Sequence, residues 1–167
     1  MKKTISILLI LLVLCFSLAA CNIDDSSAQA TDFVVYSFSG ANDQFTVCNG
    51  VIVISDTEDV FYGGDFSVKQ ADFSNIVEYS TAFYIISGSE KRIIVSNSVV
   101  DTTGNTANVA GDLGKASGEG LLSEYKLDDV QNLNNLYFEL TTTDINGQEN
   151  TYQLQLAVTE ITKSIEQ

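Results

Sequence analysis

Four acidic side chains, Asp56, Glu58, Asp59 and Asp65, crowd around the short apolar segment Val60-Phe61-Tyr62 and the Gly63-Gly64 pair. Carboxylates on neighbouring loops are what calcium needs, because it takes about six to eight oxygen ligands. These four are the candidate metal ligands, and calcium is the one candidate cofactor. Solvated turns that discourage edge-to-edge strand pairing account for the same residues without any ligand. Asp144-Ile145-Asn146-Gly147-Gln148-Glu149 begins like a calcium loop but lacks the third acidic ligand position and the distal Glu. Paired carboxylates are also the machinery of glycan hydrolysis, which asks for two acids about 5 to 9.5 Å apart in a cleft. Nothing in the spacing of the acids marks such a pair.

The chain has no His. That removes the commonest general base and metal ligand, so Ser-His, Cys-His and His-based zinc chemistry are excluded. Cys48, with Val51 opposite it if Asn49-Gly50 is a hairpin turn, reads as a small buried hydrophobe, the alternative being an exposed thiol that pairs with another chain. The net charge of −14 rests on 22 acidic and 8 basic residues, without a basic patch. Such a surface repels phosphate backbones, and nucleic acid is not an expected partner. No catalytic set emerges, and the expectation is a protein that is not an enzyme.

From Phe33 onward the elements that must position these groups are short alternating runs rich in Val, Ile, Thr, Tyr and Phe, cut by Gly, Asn and Asp. No stretch keeps a helical period, and the spacing predicts an all-β antiparallel sandwich of about 8 to 10 strands. Strands are expected near 33–38, 44–48, 51–55, 59–62, 65–70, 76–87, 91–100, 121–127, 136–143 and 151–160. A two-residue Asn49-Gly50 turn would set Phe45 against Ile54 and Val47 against Ile52, making one apolar face. At the C-terminus a two-residue turn would scramble both faces. A three-residue loop, Ile145-Asn146-Gly147, instead pairs Leu140 with Tyr152, Phe138 with Leu154 and Leu136 with Leu156, with Gly147 in the left-handed region. The glycine-rich stretch 101–120 reads as a mobile surface loop, and 127–136 as room for one helical turn.

The first 21 residues, MKKTISILLILLVLCFSLAAC, begin with Lys2 and Lys3, run apolar from Ile5 to Phe16, and end in small residues before Cys21. This is the layout of a secretory leader rather than a retained membrane span. Leu18-Ala19-Ala20-Cys21 resembles the lipobox of bacterial lipoproteins. The resemblance implies removal of residues 1–20 and acylation of Cys21, palmitate being the expected kind of chain. It also implies a cell-membrane anchor on the outer, extracytoplasmic face. Two or three acyl chains, at about 0.8 kcal/mol per buried methylene, hold a protein where one chain binds only marginally. Without Lys2 and Lys3 the remainder carries 6 basic and 22 acidic residues, a net of −16. Residues 21–32 read as a lipidated cysteine and tether, and 33–163 as one β-sandwich domain.

Tyr36 to Ser55 followed by Phe61 to Phe66 resembles uncharacterised lipoproteins of Gram-positive bacteria, a resemblance that implies no activity. Tyr125 and the segment from Leu136 to Val158 resemble the last connection and hairpin of immunoglobulin-like and fibronectin type III sandwiches. The functional expectation is a membrane-anchored, non-enzymatic module whose partners are the lipid bilayer and an envelope protein, peptide or glycan. The alternatives are a carboxylate-dependent glycan hydrolase and a calcium-stabilised structural module of an envelope complex.

Overall fold

The computed structural model describes residues 33–68, 73–103, 106–122 and 135–162. The expected leader, Cys21 and the tether lie outside the described residues. The β-branched and aromatic runs form eleven described strands: β1 (Phe33–Ala41), β2 (Phe45–Ser55), β3 (Asp59–Tyr62), β4 (Asp65–Val68), β5 (Ile76–Ser87), β6 (Glu90–Val100), β7 (Gly111–Asp112), β8 (Lys115–Gly118), β9 (Leu136–Asp144), β10 (Glu149–Gln155) and β11 (Ala157–Glu160). Sheet A runs β11-β1-β2-β3-β8, with β4 on β2 and β7 on β4; sheet B runs β10-β9-β5-β6. Among the described residues every strand pairing, from β1–β2 to β5–β9, is antiparallel. The two sheets pack face to face as the expected β-sandwich.

The Asn49-Gly50 turn does not form, and β2 runs straight through it. In the β1–β2 register Phe38 faces Gly50 and Gly40 faces Val47, so β2 takes three steps where β1 takes two. This is a β-bulge, with Asn49 in the left-handed region at φ 59°. One extra residue inverts the in–out alternation, so Phe45 and Val47 point inward before the bulge and Gly50 and Ile52 after it. The hairpin and the bulged strand put the same residues on one apolar face, which is why face composition alone did not separate them.

The bulge recurs across sheet A as a crease. Beyond β2, β4 pairs with Phe45–Cys48 and β3 with Val51–Val53, so β3 and β4 are one strand jogged at Gly63-Gly64. The β7–β8 strand jogs at the same level, where the Gly63 amide donates to the Gly114 carbonyl (2.9 Å) and the Leu113 amide to the Gly64 carbonyl (2.9 Å). The crease allows no side chain at Gly50, Gly63 or Gly64. A Cβ on Gly50 would fall 2.1 Å from the Phe38 ring, and one on Gly64, whose φ is +78°, 2.1 Å from the Cys48 carbonyl oxygen.

Part of the stretch expected to be mobile is therefore strand. Within 101–120, β7 and β8 are paired and Val109 and Leu113 are buried at 2% and 7% exposure, because those two apolar side chains fill the end of the core. Leu121 and Leu122 lie in a turn rather than the expected strand, and 123–134 lies outside the described residues. The C-terminal hairpin has the expected register, Tyr152 against Leu140 and Leu154 against Phe138, with Gly147 at φ 77°. The strand expected at 151–160 divides at buried Leu156, whose amide donates to the Leu136 carbonyl (2.9 Å), and the chain crosses from sheet B into sheet A.

Between the sheets, Phe38, Phe45, Phe61 and Phe66 of sheet A meet Phe83 and Phe138 of sheet B. Their centroids lie 4.9 Å apart for Phe61–Phe83, 5.2 Å for Phe83–Phe138 and 5.3 Å for Phe66–Phe138. Tilted contacts at these distances are favoured by the ring quadrupoles. Replacing Gly50 by Ala forces Phe38 out of this cluster and is expected to cost at least about 2 kcal/mol in denaturant unfolding. Gly118→Ala, where a Cβ meets nothing within 4 Å, is the matched control and is expected to stay within about 0.5 kcal/mol of the parent.

Candidate functional site

The outward side of the crease gathers more chemistry than any other described surface. Inward Phe61 and Phe66 dictate outward Tyr62 and Asp65 by strand alternation. Asp65 stands opposite Cys48 on β2 and opposite Asp112 on β7. The Asn49 side-chain amide donates to Asp65 Oδ2 at 2.7 Å, Tyr62 Oη donates to Asp112 Oδ2 at 3.4 Å, and the Gly114 amide donates to Asp112 Oδ1 at 2.6 Å. Desolvation and then the charges of Asp112 and Asp65 push the Tyr62 hydroxyl above its ordinary value. Tyr62 is therefore a hydrogen-bond donor throughout the neutral range.

Beside this patch lies a shallow depression of about 360 Å³, lined by Ser37, Ser39, Cys48, Asn49, Ala157 and Thr159 over a floor of Phe38 and Gly50. Small side chains on β1 and β11 leave the room, and the bulge presents Asn49 at its rim. Hydroxyls, one carboxamide and two nearby carboxylates form a surface able to exchange several hydrogen bonds with a polar ligand. Its volume lies at the low end for small-molecule sites, and it is open rather than enclosed.

The four sequence candidates for calcium are not brought together. Asp59 is buried at 4% exposure and its Oδ2 accepts the Leu122 amide at 2.9 Å, so it holds the chain after β8. Asp56 and Glu58 lie exposed in the β2–β3 turn, where Ser55 Oγ accepts the Glu58 amide. Asp65 sits past the far end of β3, roughly 10 Å or more of strand away from Asp59. Among the described residues no group of three or more His, Cys, Asp or Glu stands together in a way that could hold a metal ion. The Asp144 carboxylate is taken up by its own turn, accepting the Asn146 and Gln148 amides at 2.8 Å each, and those bonds hold its pKa below the ordinary range.

Cys48 differs from its expected setting because the hairpin that would have buried it against Val51 is absent. It is half-buried on the outer face, its Sγ 3.9 Å from the Asp65 carbonyl oxygen. Asp112 is not among the residues that the sequence singles out, because it stands in the glycine-rich stretch 101–120, which reads as loop. The alternation Gly111-Asp112-Leu113, with one large apolar residue after the acid, was the signal available.

A second polar cluster covers the outer face of sheet B. Lys91 lies 4.2 Å from the centre of the Tyr84 ring and donates to Glu139 at 2.7 Å, while Gln153 donates to Glu139 at 2.9 Å and Tyr137 stacks on Tyr84 at 5.5 Å. Every ligand-facing group here already has a partner on its own sheet. Burial by itself pushes the Glu139 carboxyl up, but the Lys91 and Gln153 hydrogen bonds and the Lys91 charge outweigh it, leaving the pKa lowered.

Comparison with protein-family models, with curated proteins and with solved structures returns no match. The class defined by the coordinates is thus a creased antiparallel β-sandwich. Among its described residues no helix is long and apolar enough to cross a membrane.

The lowered pKa gives the sandwich a pH dependence of definite sign. A depressed carboxylate contributes stability that is present above its unfolded value, about 4.3, and lost as pH falls through the folded value. Glu139→Gln is expected to flatten the fall in melting temperature between about pH 5 and pH 3, measured by circular dichroism. An unchanged slope would deny Glu139 that role.

Proposed function

We propose that the chain is a lipid-anchored, non-enzymatic binding module on the outer face of a bacterial membrane, which uses the crease groove to recognise an envelope protein, peptide or glycan. One observation carries the binding half of this reading. The groove combines small hydroxyls and an amide at a bulge, with the Asp65 and Asp112 carboxylates beside it on paired strands, the kind of scaffold that holds a recognition surface in place. The Cys48 thiol lies 3.9 Å from the Asp65 main-chain carbonyl oxygen, which is not a base. Anchoring rests on Leu18-Ala19-Ala20-Cys21 behind the apolar leader. The acidic surface favours a cationic or neutral partner over an anionic one.

Intact mass and detergent phase partitioning test the anchor. The native chain is expected to begin at Cys21 with an acyl mass increment and to enter the detergent phase, and Cys21→Ser to lose both. An unmodified chain in the aqueous phase would remove the envelope-anchored reading. The groove is tested with Thr159→Trp, an exposed change that fills the depression. Retention of the captured envelope component is expected to fall at least about tenfold, or about 1.4 kcal/mol, and undiminished retention would move recognition elsewhere.

A further inference from the structure

The edge of sheet B points to a partner of a different kind. Among the described residues β6 is an outermost strand, and it is long, Glu90–Val100. Natural sheets blunt such edges with charge, Pro or a bulge. Here a bulge at Ile94, between Ile93 opposite Tyr84 and Val95 opposite Phe83, interrupts the first half of the strand behind Glu90, Lys91 and Arg92, while beyond it Val95 to Val100 carries no charge and Asp101 follows. Ser96, Asn97, Ser98 and Val100 are exposed, Val100 at 55%.

The order of residues along that uncharged part is the informative feature. Val95-Ser96-Asn97-Ser98-Val99 reads the same in both directions. An antiparallel pairing of two such strands about a two-fold axis at Asn97 therefore sets Ser96 against Ser98 and Val95 against Val99, all on the regular side of the Ile94 bulge. Small faces small and β-branched faces β-branched, the cross-strand matches that stabilise a ladder. The hydrogen-bonding phase also fits. The Ser98 amide donates to the Asn97 side-chain oxygen at 2.8 Å, so it points away from β5. By alternation the main chain of Ser96 and Val100 points outward too. An axis at Asn97 pairs even-numbered residues with even-numbered ones, so outward groups meet outward groups.

We infer that two copies of this chain join through β6, in an isologous two-fold contact that makes one continuous sheet of two copies of sheet B. Self-complementarity favours a second copy over an unrelated strand, because another copy of β6 presents Ser98 to Ser96 and Val99 to Val95 in the same antiparallel pairing. Asn97 acts as a cap that the partner strand displaces from the Ser98 amide. A ladder this short buries less than the roughly 1,200 Å² of a standard interface, and the pairing is accordingly reversible and rises with concentration.

The test uses the full chain in detergent with Cys15, Cys21 and Cys48 replaced by Ser. Asn97→Cys puts two thiols across the axis at a non-hydrogen-bonded pair, where strand Cα atoms come about 4.5 Å apart, within disulfide reach. With oxidised glutathione it is expected to form a cross-linked dimer at least tenfold faster than Thr151→Cys on the opposite edge. Adding Ser98→Pro, which removes an outward amide that the native ladder does not use, is expected to abolish that advantage with circular dichroism unchanged. Sedimentation of the Asn97→Lys chain provides a check independent of thiols and of Pro. Two like charges at the axis are expected to leave a monomer at concentrations where the parent chain is dimeric. Equal cross-linking rates at positions 97 and 151, or a dimer that persists in Asn97→Lys, would overturn the proposal.

Discussion

The contact on which the sandwich depends is the Phe38 ring lying over the bare backbone of Gly50. A Cβ at position 50 would stand inside that ring, so the ring and the bulge require one another. With the bulge in place the apolar phase of β2 inverts at Asn49, and a strand that would otherwise turn half its large side chains to solvent buries them at both ends. The jogs at Gly63-Gly64 and Leu113-Gly114 follow from the same break, because neighbouring strands must keep their hydrogen bonds in register with a partner that has gained a residue. The six phenylalanines pack against the inner face of sheet A on both sides of this break, and Gly40 leaves space for Leu156 where the last strand changes sheets.

The same crease generates the candidate site. A bulge re-aims the side chain it displaces, and here it sends Asn49 outward to Asp65 while Ser37, Ser39, Ala157 and Thr159 leave a depression beside it. Packing inside and recognition outside are two sides of one irregularity. The outer face of sheet B is built differently, with Lys91, Glu139, Gln153, Tyr84 and Tyr137 satisfying one another. That face stabilises the sheet and offers little to a ligand.

Much of the architecture was legible because strand signals are local. Ile76–Ser87 and Asp59–Tyr62 have the bounds their residues imply, and the Gly147 loop follows from the requirement that Leu140 and Tyr152 share a face. What was not legible is long-range. Asn49-Gly50 is a strong turn signal, and only the partners on both sides of β2 decide that the chain runs on. The glycines of 101–120 read as looseness, whereas Gly111 and Gly114 flank residues that complete sheet A and bury Leu113. Asp59 and Asp65 are close in sequence and were read as one cluster. The intervening strand is extended, and it sends one into the core end of the sheet and the other to the groove.

The distance between the two ends of β2 tests the crease most directly. Spin labels at Gln44 and Asp56, in a chain whose native cysteines are replaced by Ser, flank the strand on either side. A continuous bulged strand separates the labelled positions by up to about 40 Å, at roughly 3.3 Å per residue, and a pulsed dipolar measurement is expected to find a single population beyond about 30 Å. A distribution centred below about 15 Å would mean that the chain reverses at Asn49-Gly50, and the crease, the phase inversion and the groove would all have to be abandoned.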